Sequence, residues 1–189
     1  MKIKTNLLWL SIIIAFSSVQ AQQEKEAICY NPNAVKDTTK KSIKSMAVGV
    51  INGDSVKISY HSPGVRKRII WGGLVPYDEV WVTGAHDATT IEINSPFVIA
   101  GKEIPAGKYA FFTIPGKKEW TVIINKNWQQ HLTNEYDEKD DIVRLKVKPK
   151  KNIPTERLQY FVEKAKSNNG KIAIAWEKLR FEFPFTILK

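Results

Sequence analysis

The stretch Met46-Ala47-Val48-Gly49-Val50-Ile51-Asn52-Gly53-Asp54-Ser55-Val56-Lys57-Ile58-Ser59-Tyr60 decides the fold class. Met46, Val48 and Val50 alternate before Asn52-Gly53, and Val56, Ile58 and Tyr60 alternate after it. A period of two is the signature of a half-buried strand. Asn-Gly between two such runs suits a tight hairpin turn, whose two central residues both take positive φ. The stretch therefore predicts an antiparallel hairpin.

Similar signals recur downstream. Thr89, Ile91 and Ile93 alternate, and Pro96 stops the run. Phe97-Val98-Ile99, Tyr109 to Ile114, Trp120 to Ile124 and Ile142 to Val147 follow, separated by Gly- and Pro-bearing turns. Near the end, Ile172, Ile174 and Trp176 share one face, and Phe181, Phe183 and Phe185 share another. Residues 154–166 fit helical and strand spacing alike. The strand reading is preferred, because the segment 171–176 needs a neighbour. A short helix is expected around Lys126 to Leu132. Short strands at this spacing point to an all-β fold, an antiparallel sandwich or a jelly-roll-like barrel with at most one or two short helices.

The 189 residues are 43% hydrophobic and 25% charged, with Gly 10 and Pro 9. That composition excludes a disordered, collagenous or low-complexity chain, and the length suits one domain. Lys2 and Lys4 precede an apolar run, Leu7 to Phe16, and Ser17 to Ala21 supply small residues for a cut after Ala21. This is the pattern of a secretory signal peptide. The run is about ten residues long against roughly 20 for a bilayer span. The expected organisation is a signal peptide over 1–21, a flexible leader over 22–41 and a β-sandwich over 42–189, periplasmic or secreted. Cys29, the single cysteine, lies in the leader and is read as a tolerated thiol.

The formal net charge is +10. Basic residues are scattered, no nucleic-acid-binding spacing is present, and no further stretch is apolar enough to span a membrane. A solvated basic surface is the preferred reading, with attraction to an anionic envelope surface as the functional alternative.

The densest motif runs from Trp71 to Thr90 and is rich in Gly, Pro and aromatics. Trp71 and Trp81 are candidate walls of a pocket, Arg68 and Tyr77 candidate polar contacts, and Thr83, His86 and Asp87 further ligand-binding candidates. The bland alternative is a loop that packs its aromatics over the core. His61, His86 and His131 are the only histidines, and all stand at loop signals. Imidazoles from three segments are a candidate zinc or copper site with one position open. Asp87 or Glu135 would then serve as general base to a metal-bound water. The acidic run Glu135, Asp137, Glu138, Asp140 and Asp141 lacks calcium-loop spacing and reads as a solvated turn.

The run Ser62-Pro63 to Trp71-Gly72-Gly73-Leu74-Val75-Pro76-Tyr77, with Thr83-Gly84-Ala85, Pro105-Ala106-Gly107-Lys108-Tyr109, Phe112-Thr113-Ile114-Pro115-Gly116 and Val147-Lys148-Pro149, resembles an exported bacterial family known as domain-of-unknown-function family twenty-nine eleven. The resemblance extends over nearly the whole chain after the leader. It implies a β-rich exported domain and no activity. Many members carry Arg where Val82 stands, Asn-Glu where His86-Asp87 stand, and Gly where Lys67 stands, so chemistry that leans on that arginine does not transfer here. Three functional readings remain open: a small-ligand or surface binding module, a metal-dependent hydrolase-like enzyme, and a structural envelope interaction protein.

Overall fold

The computed structural model describes residues 40–189. The expected signal peptide, the expected leader up to residue 39 and Cys29 lie outside the described residues. Ten strands form two antiparallel sheets packed as a sandwich. They are β1 (Ser42–Ile51), β2 (Asp54–Pro63), β3 (Thr89–Ile93), β4 (Phe97–Ile99), β5 (Lys102–Ile104), β6 (Gly107–Ile114), β7 (Trp120–Asn125), β8 (Asp141–Val147), β9 (Lys150–Lys164) and β10 (Asn169–Ile187). The larger sheet has the order β1-β2-β3-β6-β7-β8, and the smaller β5-β4-β10-β9. Two separate sheets, rather than a jelly-roll-like barrel, answer the expectation.

The hairpin turn is as the sequence requires. Asn52 has φ 53° and Gly53 φ 93°, and Ile51 pairs with Asp54 across a two-residue turn. This register pairs Ala47 with Ile58 and Gly49 with Val56. Paired residues share a face, so Ile43, Ala47 and Ile51 point into the core, while Val50 is 59% exposed. The alternation of Met46, Val48 and Val50 thus marks the outer face of β1 and not its core face.

Two other expectations are settled by pairing. Residues 154–166 fall mostly in β9, whose partner is β10 from Gly170 to Arg180. Trp176 and Phe181 have opposite parity, yet Ile172, Ile174, Trp176, Phe181, Phe183 and Phe185 all enter one core. The register shifts between Ala175 and Leu179, and Glu177 has φ 55°. A bulge inserts the extra residue that turns both sets inward. The two faces expected for β10 are therefore one.

The helix expected around Lys126 to Leu132 is absent; the one helical element among the described residues is a 3-10 turn at Glu138–Asp140. Asn125 Oδ1 accepts from the Asn127 N–H at 2.8 Å, and Gln130 Nε2 donates to the Asn127 carbonyl at 2.5 Å. Such side-chain bonds compete with helical bonding. The Ala88 N–H then donates to the Gln130 carbonyl, and the Leu132 N–H to the His86 carbonyl. The segment is spent on pairing with the loop before β3.

Candidate functional site

The larger sheet has two faces. Its inner face carries Val56, Ile58, Ile91, Ile93, Phe111, Val122 and Ile124 against the smaller sheet. Its outer face begins as a polar surface: Lys44 pairs with His61, Ser59 with Thr90, and Lys57 with Glu92, whose carboxylate holds the Lys57 ammonium at 2.7 Å. A small apolar cluster of Val82, Ala88, Ala110, Phe112 and Ile123 sits on this same face, with Trp128 and Tyr136 packed against it. That cluster anchors the 126–136 segment, which walls in a cleft.

The cleft has a volume of about 660 Å³. The sheet contributes Lys44, Ser45, Ser59, Tyr60, His61, Thr90 and Lys108; the walls are Asp87, Ala88, Trp128, Gln129, Gln130, His131 and Glu135. The size falls within the ordinary range of small-molecule sites. Lys108 Nζ stands 3.9 Å from the centroid of the Trp128 ring, a cation–π contact that holds the indole over the sheet.

The three histidines meet at one edge of this cleft. The His61 and His86 ring centroids are 5.0 Å apart, and those of His86 and His131 are 6.5 Å apart. His86 takes the left-handed region, φ 61°, a conformation that non-glycine residues adopt at a cost. Its Nε2 shares a 2.8 Å hydrogen bond with Ser42 Oγ. Asp87 and His131 form an antiparallel bridge, and the Asp87 carboxylate stands 3.5 Å from His131 Nδ1. His61 is half-buried, and its ring makes no hydrogen bond among the described residues. Burial first, and then the His86 ring, hold its pKa below the ordinary histidine value; Asp87 opposes this, while Lys44 and His131 add to it. The imidazole is therefore held neutral more readily than in water.

The metal expectation meets a limit. Tetrahedral zinc needs ring nitrogens about 2.0–2.1 Å from one point. Among the described residues, no group of three or more His, Cys, Asp or Glu side chains is arranged in that way. The imidazoles cluster, but His86 and His131 are turned to Ser42 and Asp87. Glu135 lines the cleft and is exposed.

The other candidate ligand contacts fall elsewhere. Trp71 packs edge-on against Trp81, Trp120 and Trp176 at 6.0, 4.7 and 5.6 Å, and Trp81 stacks on Trp176 at 5.6 Å. These indoles pack together at one end of the core and do not line the cleft of the larger sheet. Thr83 is fully buried, with its hydroxyl 2.9 Å from that of Thr113 and its carbonyl accepting from the Tyr160 hydroxyl at 2.7 Å. Arg68 donates to the Gly64 and Val65 carbonyls of its own loop. Tyr77 packs over Gly72, where an added Cβ would stand 2.8 Å from the ring. Of the loop candidates only Asp87 lines the cleft, and His86 adjoins it through its ring contacts with His61 and His131. The acidic run also departs from a solvated turn at one position. The Asp141 carboxylate side chain is 4% exposed and accepts from Asn125, Tyr136 and Arg144 at 2.7–2.8 Å. Burial and the Asp141 hydrogen bond push the Tyr136 pKa well up. This network pins the far end of the 126–136 wall.

Sequence reasoning missed Lys44, Ser59, Thr90, Lys108 and Gln130, whereas Trp128 is readable as an aromatic wall from its place beside His131. One signal was within reach: counting back from the Asn52-Gly53 turn pairs Lys44 with His61. The remainder depends on where the 126–136 segment folds, which no local pattern states.

No helix among the described residues is long and apolar enough to cross a membrane. No curated protein and no solved structure matches this chain. A family model described as "Protein of unknown function (DUF2911)" matches residues 42–185, which includes the whole cleft and all but the last two residues of the sheets. The chain belongs to the DUF2911 family.

Proposed function

We propose that this domain is an exported binding module for a small acidic ligand, held in the histidine-edged cleft of the larger sheet. One observation carries the reading. The His61 ring, half-buried and without a hydrogen-bond partner among the described residues, stands directly across the strand pair from Lys44, which makes no ion pair there. Two adjacent donors without an acceptor fit a carboxylate or phosphate, whose charge-assisted hydrogen bonds contribute about 1.5–3 kcal/mol each. Lys108 supplies further positive charge, His131 a further ring nitrogen, and Trp128 an apolar wall. Asp87 and Glu135 at the rim supply acceptors for hydroxyl or amine groups of the same ligand. The export part of the reading rests on the sequence of residues 1–21.

A second reading uses the same imidazoles as a zinc or copper site, and the closeness of the three rings favours it. It requires His86 and His131 to turn from Ser42 and Asp87. The two readings differ in the sign of their pH dependence. An acid gains from imidazolium, so its affinity rises as pH falls through the histidine pKa values. A metal needs neutral imidazole, so its affinity falls over the same range. Thermal melts at pH 6 and pH 8 with citrate, glucuronate, inorganic phosphate or zinc chloride separate them by linkage. The ligand reading expects stabilisation by at least one of the acids, larger at pH 6 and lost in Lys44→Ala. Melts unmoved by all the acids contradict it. A zinc shift that is larger at pH 8 supports the second reading.

A further inference from the structure

The loop between β2 and β3 carries a feature that the cleft does not use. Over Ile69 to Val75 the backbone closes on itself. The Leu74 N–H donates to the Ile69 carbonyl at 3.0 Å, the Val75 and Gly73 N–H groups to the Ile70 carbonyl, and the Gly72 N–H to the Val75 carbonyl at 2.8 Å. Ile70 and Val75 are each 2% exposed, and Trp71 is wedged among three other indoles. The loop is therefore a rigid clip, anchored from within. Its outward side chains are Ile69, 79% exposed, and Leu74, 45% exposed. An anchored loop has no need to show two neighbouring aliphatic side chains to water.

The approach to this tip is basic. Arg66-Lys67-Arg68 directly precede Ile69. Arg66 and Lys67 both lie in the left-handed region, with φ 49° and 59°. Two consecutive non-glycine residues there carry a steric cost that glycine would avoid. The adjoining stretch of β9 adds to the same character. The Val65 N–H donates to the Glu156 carbonyl at 2.7 Å, and Gly64 bridges Arg157, so the loop leaves the sheet beside the half of β9 that bears Lys150, Lys151 and Ile153, the last 78% exposed. The acidic group nearest in this pairing, Glu156, accepts from the Arg66 backbone N–H at 2.9 Å.

We propose that the 66–74 tip is a docking surface for an anionic lipid bilayer. Ile69 and Leu74 enter the headgroup boundary, and Lys67, with its basic neighbours, meets the lipid phosphates. Charge complementarity selects this occupant: exposed aliphatic side chains directly preceded by the basic run Arg66-Lys67-Arg68 match a negatively charged, apolar-cored surface. The clip supplies the preorganisation, so no segment has to order on contact.

The test is co-sedimentation of the chain, purified after export, with vesicles of phosphatidylcholine alone or with phosphatidylglycerol added. The expected result is binding to the mixed vesicles at low salt, weakened at high salt, and little binding to phosphatidylcholine. Ile69→Glu with Leu74→Glu should weaken it by about tenfold or more, and Lys67→Glu by a smaller factor. All three positions are exposed, so the melting temperature of each variant should match the parent and report that folding is intact. Three results each overturn the proposal: no binding to the mixed vesicles, equal binding to both vesicle types, or binding that the folded tip variants leave unchanged. A tip that instead serves a protein partner gives the first of these.

Discussion

The larger sheet presents the same strands to two environments, and its two faces solve opposite problems. On the inner face, every position from Val56 and Ile58 across Ile91 and Ile93 to Phe111, Val122 and Ile124 is sealed against the smaller sheet. The fully buried Tyr160 hydroxyl finds the Thr83 carbonyl in this layer, whereas the indole N–H groups of Trp71 and Trp176 are buried without a partner among the described residues. On the outer face, alternate residues of the same strands carry lysine, serine, threonine and histidine, and the 126–136 segment covers only part of them. The covered part is a small satellite core, and the uncovered part is the cleft. A sheet thus acquires a site where a wall is held close enough to enclose a volume but is too short to fill it.

The contrast can be broken from the inner face with the largest effects. Trp176→Ala removes the largest fully buried side chain and should destabilise the domain by about 3–5 kcal/mol in chemical denaturation. Gly170→Ala places a Cβ against the Phe185 ring. Overpacking of this kind costs about 1–3 kcal/mol, and a neutral result would show that the β9–β10 turn is looser than described. Gly53→Val meets no neighbour within 4 Å, so its cost of about 1 kcal/mol or more comes from φ 93° alone.

The outer face should behave differently. Ser59→Ala should change stability by no more than about 0.5 kcal/mol, because nothing in the core leans on its side chain. His61 should show itself in the pH dependence. Its folded pKa is depressed, so the unfolded chain binds the proton first as pH falls. The stabilisation is complete above the ordinary histidine pKa and is lost as pH drops through the lower folded value. His61→Asn should therefore flatten the stability–pH curve in that window and leave it unchanged at pH 8. Parallel curves for parent and variant would mean that His61 is not held neutral by its surroundings.

The same contrast explains what could be read from the chain beforehand. Inner-face strands announce themselves by apolar alternation, which is why β2, β3, β7 and β8 lie where the pattern puts them. Outer-face apolar residues confuse that signal: Met46, Val48 and Val50 alternate as well as any core strand, and only the hairpin register turns them outward. Bulges defeat parity altogether, as at Glu177 in β10. The Trp71 to Thr90 motif is ambiguous in sequence because aromatics and glycines serve a binding loop and a core plug equally well. The histidines are a different case. Imidazoles at three separate loop signals come together although no spacing rule links them, while their partners Lys44, Thr90 and Lys108 lay hidden in strands that read as scaffold.

The most direct test of the histidine-edged cleft uses the fact that His61, His86 and His131 are the only histidines in the chain. The imidazole region of a heteronuclear magnetic resonance spectrum therefore reports on this site alone. Titration with whichever acid stabilises the melt should move the His61 signals most and His131 next, and should raise the apparent pKa of His61 toward or above the ordinary value. Signals from all three rings that stay fixed while the protein saturates with ligand would place the binding somewhere other than this cleft.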